Sequence, residues 1–152
     1  MNTKLVACTA LLILCACNAA SPSLSAADVQ QFVRDYMTAS NAGDPTKAMS
    51  MVLDDASASS IAAGKIDRGW EAIRVSADEN LKRRAQKIEL GGFDVTALSP
   101  DTAMAVGTLT LRGTYRMGDM VLDSLPGAFT IVVKRTPEGL RLVHEHYSIR
   151  TK

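Results

Sequence analysis

The chain is poor in cysteine, histidine and aromatic side chains, and neither charge is in real excess. Its three cysteines, Cys8, Cys15 and Cys17, all fall near the start of the 152 residues. Residues 18–152 therefore contain no thiol, which excludes a disulfide, a thiolate metal site and a cysteine nucleophile there. Two histidines, His144 and His146, and one tryptophan, Trp70, complete the short inventory of scarce functional side chains. Lys and Arg number 17 against 16 Asp and Glu, a formal net charge of +1. Without the basic excess of a nucleic-acid-binding surface, no nucleic-acid partner is expected. The one long apolar run, Leu5 to Ala16, is well short of the roughly 20 residues that span a bilayer.

That run suits the h-region of a signal peptide, with Lys4 supplying the preceding positive charge. It ends in Leu14-Cys15-Ala16-Cys17, which resembles the processing box of bacterial lipoproteins. The resemblance implies a signal peptide over residues 1–16, cleavage before Cys17 and acylation of Cys17. Cys15 departs mildly from the Ser, Ala or Thr usual at its place. A plain secretory signal, cut after "NAA" at residues 18–20 or later, is the alternative. Loss of Lys4 would reduce the 17 basic residues to 16, equal to the 16 acidic ones. Residues 17–25 read as a small, polar tether. Acyl chains contribute about 0.8 kcal/mol per buried CH₂, enough in combination to hold a domain at a membrane without insertion. The expected location is the cell envelope, facing the periplasm, on the outer rather than the inner membrane.

Residues 26–152 suit one domain. Ser25 with Asp28 forms a capping-box variant, and Val29, Phe32, Val33, Tyr36 and Met37 lie on one helical stripe. "NAGDP" ends that helix and opens another, with Asp44 as N-cap and Pro45 in its first turn. "LDDASASSIAAGK" reads as a loop or a weak strand. A third helix is expected from about Asp67, with Trp70, Ile73, Ala77 and Leu81 on one face and Lys82, Arg83 and Arg84 towards its end. From Ile88 the pattern alternates. Four antiparallel strands follow, with a bend at Gly91-Gly92 and a break, or pairing on one side only, at Pro126-Gly127. Helices followed by a meander define an α+β class.

The segment "GAFTIVVKRTPEGLRLVHEHYS" resembles the closing hairpin of SnoaL-like domains of the nuclear transport factor two-like superfamily, which commonly end in W-x-I-V-H-x-H-x-S. The element order and "NAGDPTKAM" fit the same family over about residues 26–150. Leu140 stands at the usual tryptophan, and "SASSIAAGK" lacks the acidic or aromatic residues common in that loop. The resemblance implies a cone: three N-terminal helices packed across a strongly curved antiparallel sheet that encloses a pocket. Its members include isomerases, cyclases, epoxide hydrolases and dehydratases, together with non-catalytic binding or dimerising modules, so it speaks to architecture more than to activity.

Strict alternation along the last strand places Leu140, Leu142, His144, His146 and Ser148 on one side and Arg141, Val143, Glu145, Tyr147 and Ile149 on the other. By the resemblance, the histidine side faces the cone and orders a hydrogen-bond network. A two-histidine grip on a metal would need a carboxylate from Asp94 or Asp123 as third ligand; no metal or cofactor is expected. Acid–base chemistry would use Asp94 as base with Tyr115 or His146 as donor, although Asp94 also reads as a solvated strand-edge residue. Trp70 is core or ligand platform, and Arg112 an anion ligand or one half of a surface cross-strand pair. The preferred expectation is a lipid-anchored, non-catalytic module that binds a small hydrophobic molecule or dimerises through its sheet. The alternative is a small acid–base enzyme of isomerase, dehydratase or hydrolase type.

Overall fold

The computed structural model describes residues 23–62, 64–81, 87–117 and 120–150, without the side chains of residues 114–117 and 120–123. Cys17 and the Lys82–Arg84 run lie outside the described residues, and so do the side chains of Tyr115 and Asp123.

Helix α1 spans Ala26–Asn41, and Ser25 caps it by accepting from the Asp28 N–H at 3.0 Å. Its apolar stripe is buried as the periodicity requires: Val29, Phe32, Val33, Tyr36 and Met37 all face the interior. Gly43, at φ 70°, turns the chain into α2 (Pro45–Met49), which Asp44 caps. The next segment takes the strand rather than the loop alternative, and a second strand occupies the place where the third helix was expected to begin. Residues Ser59–Ala62 and Lys65–Arg68 form a hairpin, β1 and β2, ahead of the third helix. Asp67 pairs with Ser60 in that hairpin, so α3 starts later, at Trp70, and runs to Leu81. Gly69, at φ 80°, supplies the left-handed turn between them.

Strands β3 (Lys87–Ala97), β4 (Thr102–Met117), β5 (Met120–Thr136) and β6 (Gly139–Ile149) form the expected meander. The sheet nevertheless has six strands, in the order β2-β1-β6-β5-β4-β3, because β1 adds in parallel alongside β6. Ser59 and Ser60, which open β1, carry little strand signal, so the sequence alone does not separate this strand from a loop.

Three register breaks curve the sheet. The first falls at Gly91-Gly92, between Leu90 and Phe93 of β3, as "GG" suggested. A Cβ on Gly107, opposite that break, would collide with Phe93 and the Gly92 carbonyl. The second lies between Arg112 and Tyr115 of β4. The third inserts Val143 into β6: Val132 pairs with His144, whereas Val133 pairs with Leu142. β5 runs unbroken through Pro126; its partnership with β6 begins at Gly127, so the residues before that pair with β4 alone.

The core lies between the helices and the concave face of the sheet. Val29 and Val33 of α1 and Phe129, Ile131, Val133 and Leu142 of the sheet are its most enclosed members. The helical layer is also tied down by polar contacts. The Asn41 side chain donates to the Ile88 carbonyl and accepts from the Ile88 N–H, both at 2.8 Å, fixing the end of α1 to the start of β3. After α2, Leu142 N–H donates to Met51 O and Leu53 N–H to Leu142 O, each at 2.8 Å.

Candidate functional site

The bulge at Val143 decides which side chains of β6 enter the cone. Leu142 points into the core, and strict alternation would send His144 after it. The extra residue shifts the phase, so Glu145 and Tyr147 take the inward positions opposite buried Ile131 and Phe129. His144 and His146 are turned to the other face. This corrects the expectation that the histidines face the pocket and Glu145 faces away from it.

Glu145 is only 6% exposed. Tyr36 from α1 donates its hydroxyl to Oε2 at 2.9 Å, and Tyr147, two residues along β6, donates to the same oxygen at 2.7 Å. Ser60 of β1 donates to Oε1 at 2.7 Å. Three elements thus bring three hydroxyl donors onto one buried carboxylate. A buried charge is tolerated only when its oxygens are engaged in this way. The local sequence explains the convergence. Tyr36 sits on the apolar stripe of α1, so packing drives its ring inward and carries the hydroxyl with it. Ser60, on the middle of β1, reaches Glu145 because β1 lies parallel to β6 with those two residues in register.

These groups border a cavity of about 90 Å³, closed by Met49 of α2, Ile73 and Leu81 of α3 and Ile88 of β3. Ser40, 5% exposed, lines it from α1, and exposed Asn80 marks its solvent side. At roughly 30 Å³ per water, such a space holds a few non-hydrogen atoms, far less than the 300 Å³ or more of sites for drug-sized ligands.

The remaining sequence candidates are dispersed. His144 is half-buried, with Nδ1 2.8 Å from Ser59 Oγ on β1. Burial holds its pKa below the usual histidine value, and neighbouring His146 acts in the same direction against the opposing effect of Glu145. His146 is exposed, beside Thr130 and Ile61. Asp94 is exposed on edge strand β3. Arg112 is exposed and donates from Nε to Glu89 Oε2 at 2.8 Å, across two strands. Trp70 is half-buried at the head of α3, with the Arg74 guanidinium 5.9 Å from its ring centroid. It borders a separate surface groove of about 330 Å³. None of these five side chains borders the Glu145 cavity. Among the described residues, no three His, Cys, Asp or Glu side chains converge as a metal site.

Glu145, Tyr36, Ser60 and Tyr147 were not singled out from the sequence. One signal could have found them. Leu140 and Leu142 are apolar at even positions, Tyr147 and Ile149 at odd ones. A strand that keeps one face buried cannot satisfy both sets without a phase slip between Leu142 and Tyr147.

A helical layer closing the concave side of a curved, largely antiparallel sheet is the cystatin-like, nuclear transport factor two-like architecture. Within it, the profile of the SnoaL-like domain matches residues 29–152, and the chain belongs to that family. Solved structures share the fold. An uncharacterised cystatin-like protein from Caulobacter vibrioides superposes with a TM-score of 0.71 at 23% identity, over 82% of this chain and 89% of that one. An NTF2-like superfamily protein from Salmonella enterica gives 0.70 at 19% identity, over 83% and 91%. An NTF2-like protein from Streptomyces avermitilis, proposed to be a dehydratase, gives 0.70 at 20% identity, over 84% and 96%. At these identities the likeness concerns the fold alone. No curated protein matches the chain.

Proposed function

We propose that the chain is a lipid-anchored module of the bacterial cell envelope that holds a small molecule in its cone without transforming it. One observation carries the non-catalytic reading: the interior carboxylate accepts three hydroxyl bonds, two of them on Oε2. The hydroxyl protons of Tyr36, Ser60 and Tyr147 are all spent on that carboxylate, so none of the three serves as the proton donor that an acid–base pair needs beside its base. The two histidines, the other side chains suited to proton transfer near neutral pH, do not border the cavity.

The anchoring part rests on the Leu14–Cys17 box at the end of the apolar run. Buried Leu24 belongs to the domain's core cluster, so the residues from Cys17 to Ser23 reach at most about 25 Å. Such a tether would keep the domain close to the membrane that holds the acyl chains. Among the described residues, no helix is long and apolar enough to cross a membrane. The variant Cys17→Ala should accumulate as unprocessed precursor without acyl label; normal acylation of that variant contradicts anchoring. A homodimer belongs to the same proposal, and sedimentation equilibrium of the purified chain at micromolar concentration tests it.

The second reading, an acid–base enzyme of isomerase, dehydratase or hydrolase type, draws on the same carboxylate flanked by two phenols. Under it, small carbonyl or hydroxyl compounds incubated with the protein should yield product that Glu145→Gln abolishes. Under the binding reading, compounds that raise the melting temperature are recovered unchanged.

A further inference from the structure

The polar wall of the cone cavity is centred on one carboxylate, Glu145, whose neighbouring hydroxyls have spent their protons on it. Tyr36, Ser60 and Tyr147 each have one hydroxyl proton, and all three protons are directed to Glu145. So committed, none of the three donates to a ligand. A carboxylate has about four lone-pair sites; Oε2 takes two bonds and Oε1 takes one, so Oε1 retains capacity. Ser40 adds an independent indication. It is 5% exposed, borders the same cavity, and its hydroxyl makes no hydrogen bond among the described residues. Buried hydroxyls without a partner are rare in folded proteins and call for a ligand or a water. Among the described residues the rest of the wall is apolar, with Met49, Ile73, Leu81 and Ile88, apart from Asn80 on the solvent side.

We infer that the cavity takes a small primary alkylammonium ion, with its nitrogen at Glu145 and Ser40 and its alkyl group against the apolar wall. The inference rests on the binding reading above and names the ligand class. An ammonium group has three donors and no acceptor, which suits the acceptor capacity left on Oε1 and on the Ser40 oxygen, and its charge opposes that of the carboxylate. An alcohol of the same size brings one donor and no charge. A carboxylic acid anion brings only acceptors and meets Glu145 with like charge. About 90 Å³ suits an alkyl chain of roughly two to four carbons.

The test titrates the full-length chain with n-propylammonium chloride, 1-propanol and sodium propionate at matched ionic strength, following backbone NMR shifts. Propylammonium should bind saturably in the millimolar range, with shifts centred on α1 and β6, as befits about four non-hydrogen atoms. It should bind at least about tenfold more tightly than 1-propanol, and propionate should not bind. Glu145→Gln, of nearly the same shape, should reduce the preference for amine over alcohol to about twofold or less. Ser40→Ala should weaken amine binding severalfold while leaving the melting temperature unchanged or higher, because it removes a buried hydroxyl that lacks a partner. Equal binding of amine and alcohol, or a preference that survives both substitutions, overturns the amine assignment and leaves the binding reading intact. Saturable binding by none of the three, or shifts confined to the outer sheet face, overturns the assignment and removes support from the binding reading as well.

Discussion

Truncating Glu145 should cost far more stability than truncating the neighbouring histidine. Glu145→Ala removes the acceptor of three hydroxyl bonds of 2.9, 2.7 and 2.7 Å. A buried donor left without a partner costs about 1–3 kcal/mol, and three would suggest 3 kcal/mol or more. Relief from burying a charge offsets part of this, so the expected net loss is about 3 kcal/mol. For a domain of this size that is roughly a 10 °C fall in melting temperature. His146 is exposed, and His146→Ala should stay within about 0.5 kcal/mol of the parent. Tyr36→Phe, which leaves Tyr147 still donating to Oε2, should cost about 1–2 kcal/mol. The cycle sharpens the test, because in the Glu145→Ala background the Tyr36 hydroxyl has lost this acceptor and its removal should become neutral or stabilising. Urea unfolding of the parent, the three single variants and the Tyr36→Phe/Glu145→Ala double variant, with melting temperatures alongside, gives every number required. Equal losses for Glu145→Ala and His146→Ala, or additive losses in the cycle, would refute the assignment of Glu145 to the interior.

Further outcomes follow from other parts of the fold. The pKa of His144 is lowered from 6.5, chiefly by burial, so the unfolded chain binds its proton at higher pH than the folded one. Its stabilising contribution is complete above the unfolded value and falls as pH drops through it; the stability difference between the parent and His144→Gln should therefore shrink between about pH 7.5 and about pH 5.5, and a growing difference contradicts the sign. Asn41→Ala removes both bonds to Ile88 and should cost about 2 kcal/mol by chemical denaturation, with faster amide exchange at Ile88; an unchanged Ile88 protection factor counts against the tie. Gly107→Ala places a Cβ against the Gly92 carbonyl and the Phe93 backbone, and should destabilise by about 2 kcal/mol or more; a neutral result would mean that the β3 bulge yields easily.

The parts of the fold that periodicity governs could be read in advance. The stripe Val29–Met37, the Ser25 and Asp44 caps and the Gly91-Gly92 bend are each signalled by residues within one short stretch of sequence. The segment at 59–68 was legible only as a loop or a weak strand, because the β1 strand pairs with β6, more than eighty residues away, and its own small side chains carry little strand signal. The site failed for a related reason. Assigning faces on β6 required one uninterrupted alternation from Leu140 to Ile149, and a single inserted residue at Val143 reverses every assignment beyond it. Tyr36 was legible as a core residue but not as a donor, because its acceptor lies on the last strand. Arg112 illustrates a favourable case: its partner Glu89 lies on the adjacent strand, within reach of an ordinary cross-strand argument.

Glu145, held by Tyr36, Tyr147 and Ser60, is the polar centre of the cone. Proton NMR of the tyrosine hydroxyls tests it most directly, because hydroxyl protons held by a buried carboxylate exchange slowly with water and resonate downfield. Two such resonances are expected, from Tyr36 and Tyr147, each with contacts to Glu145 side-chain protons, and both should be lost in Glu145→Ala. Hydroxyl protons that exchange as fast as those of free tyrosine, or that persist in Glu145→Ala, would contradict it.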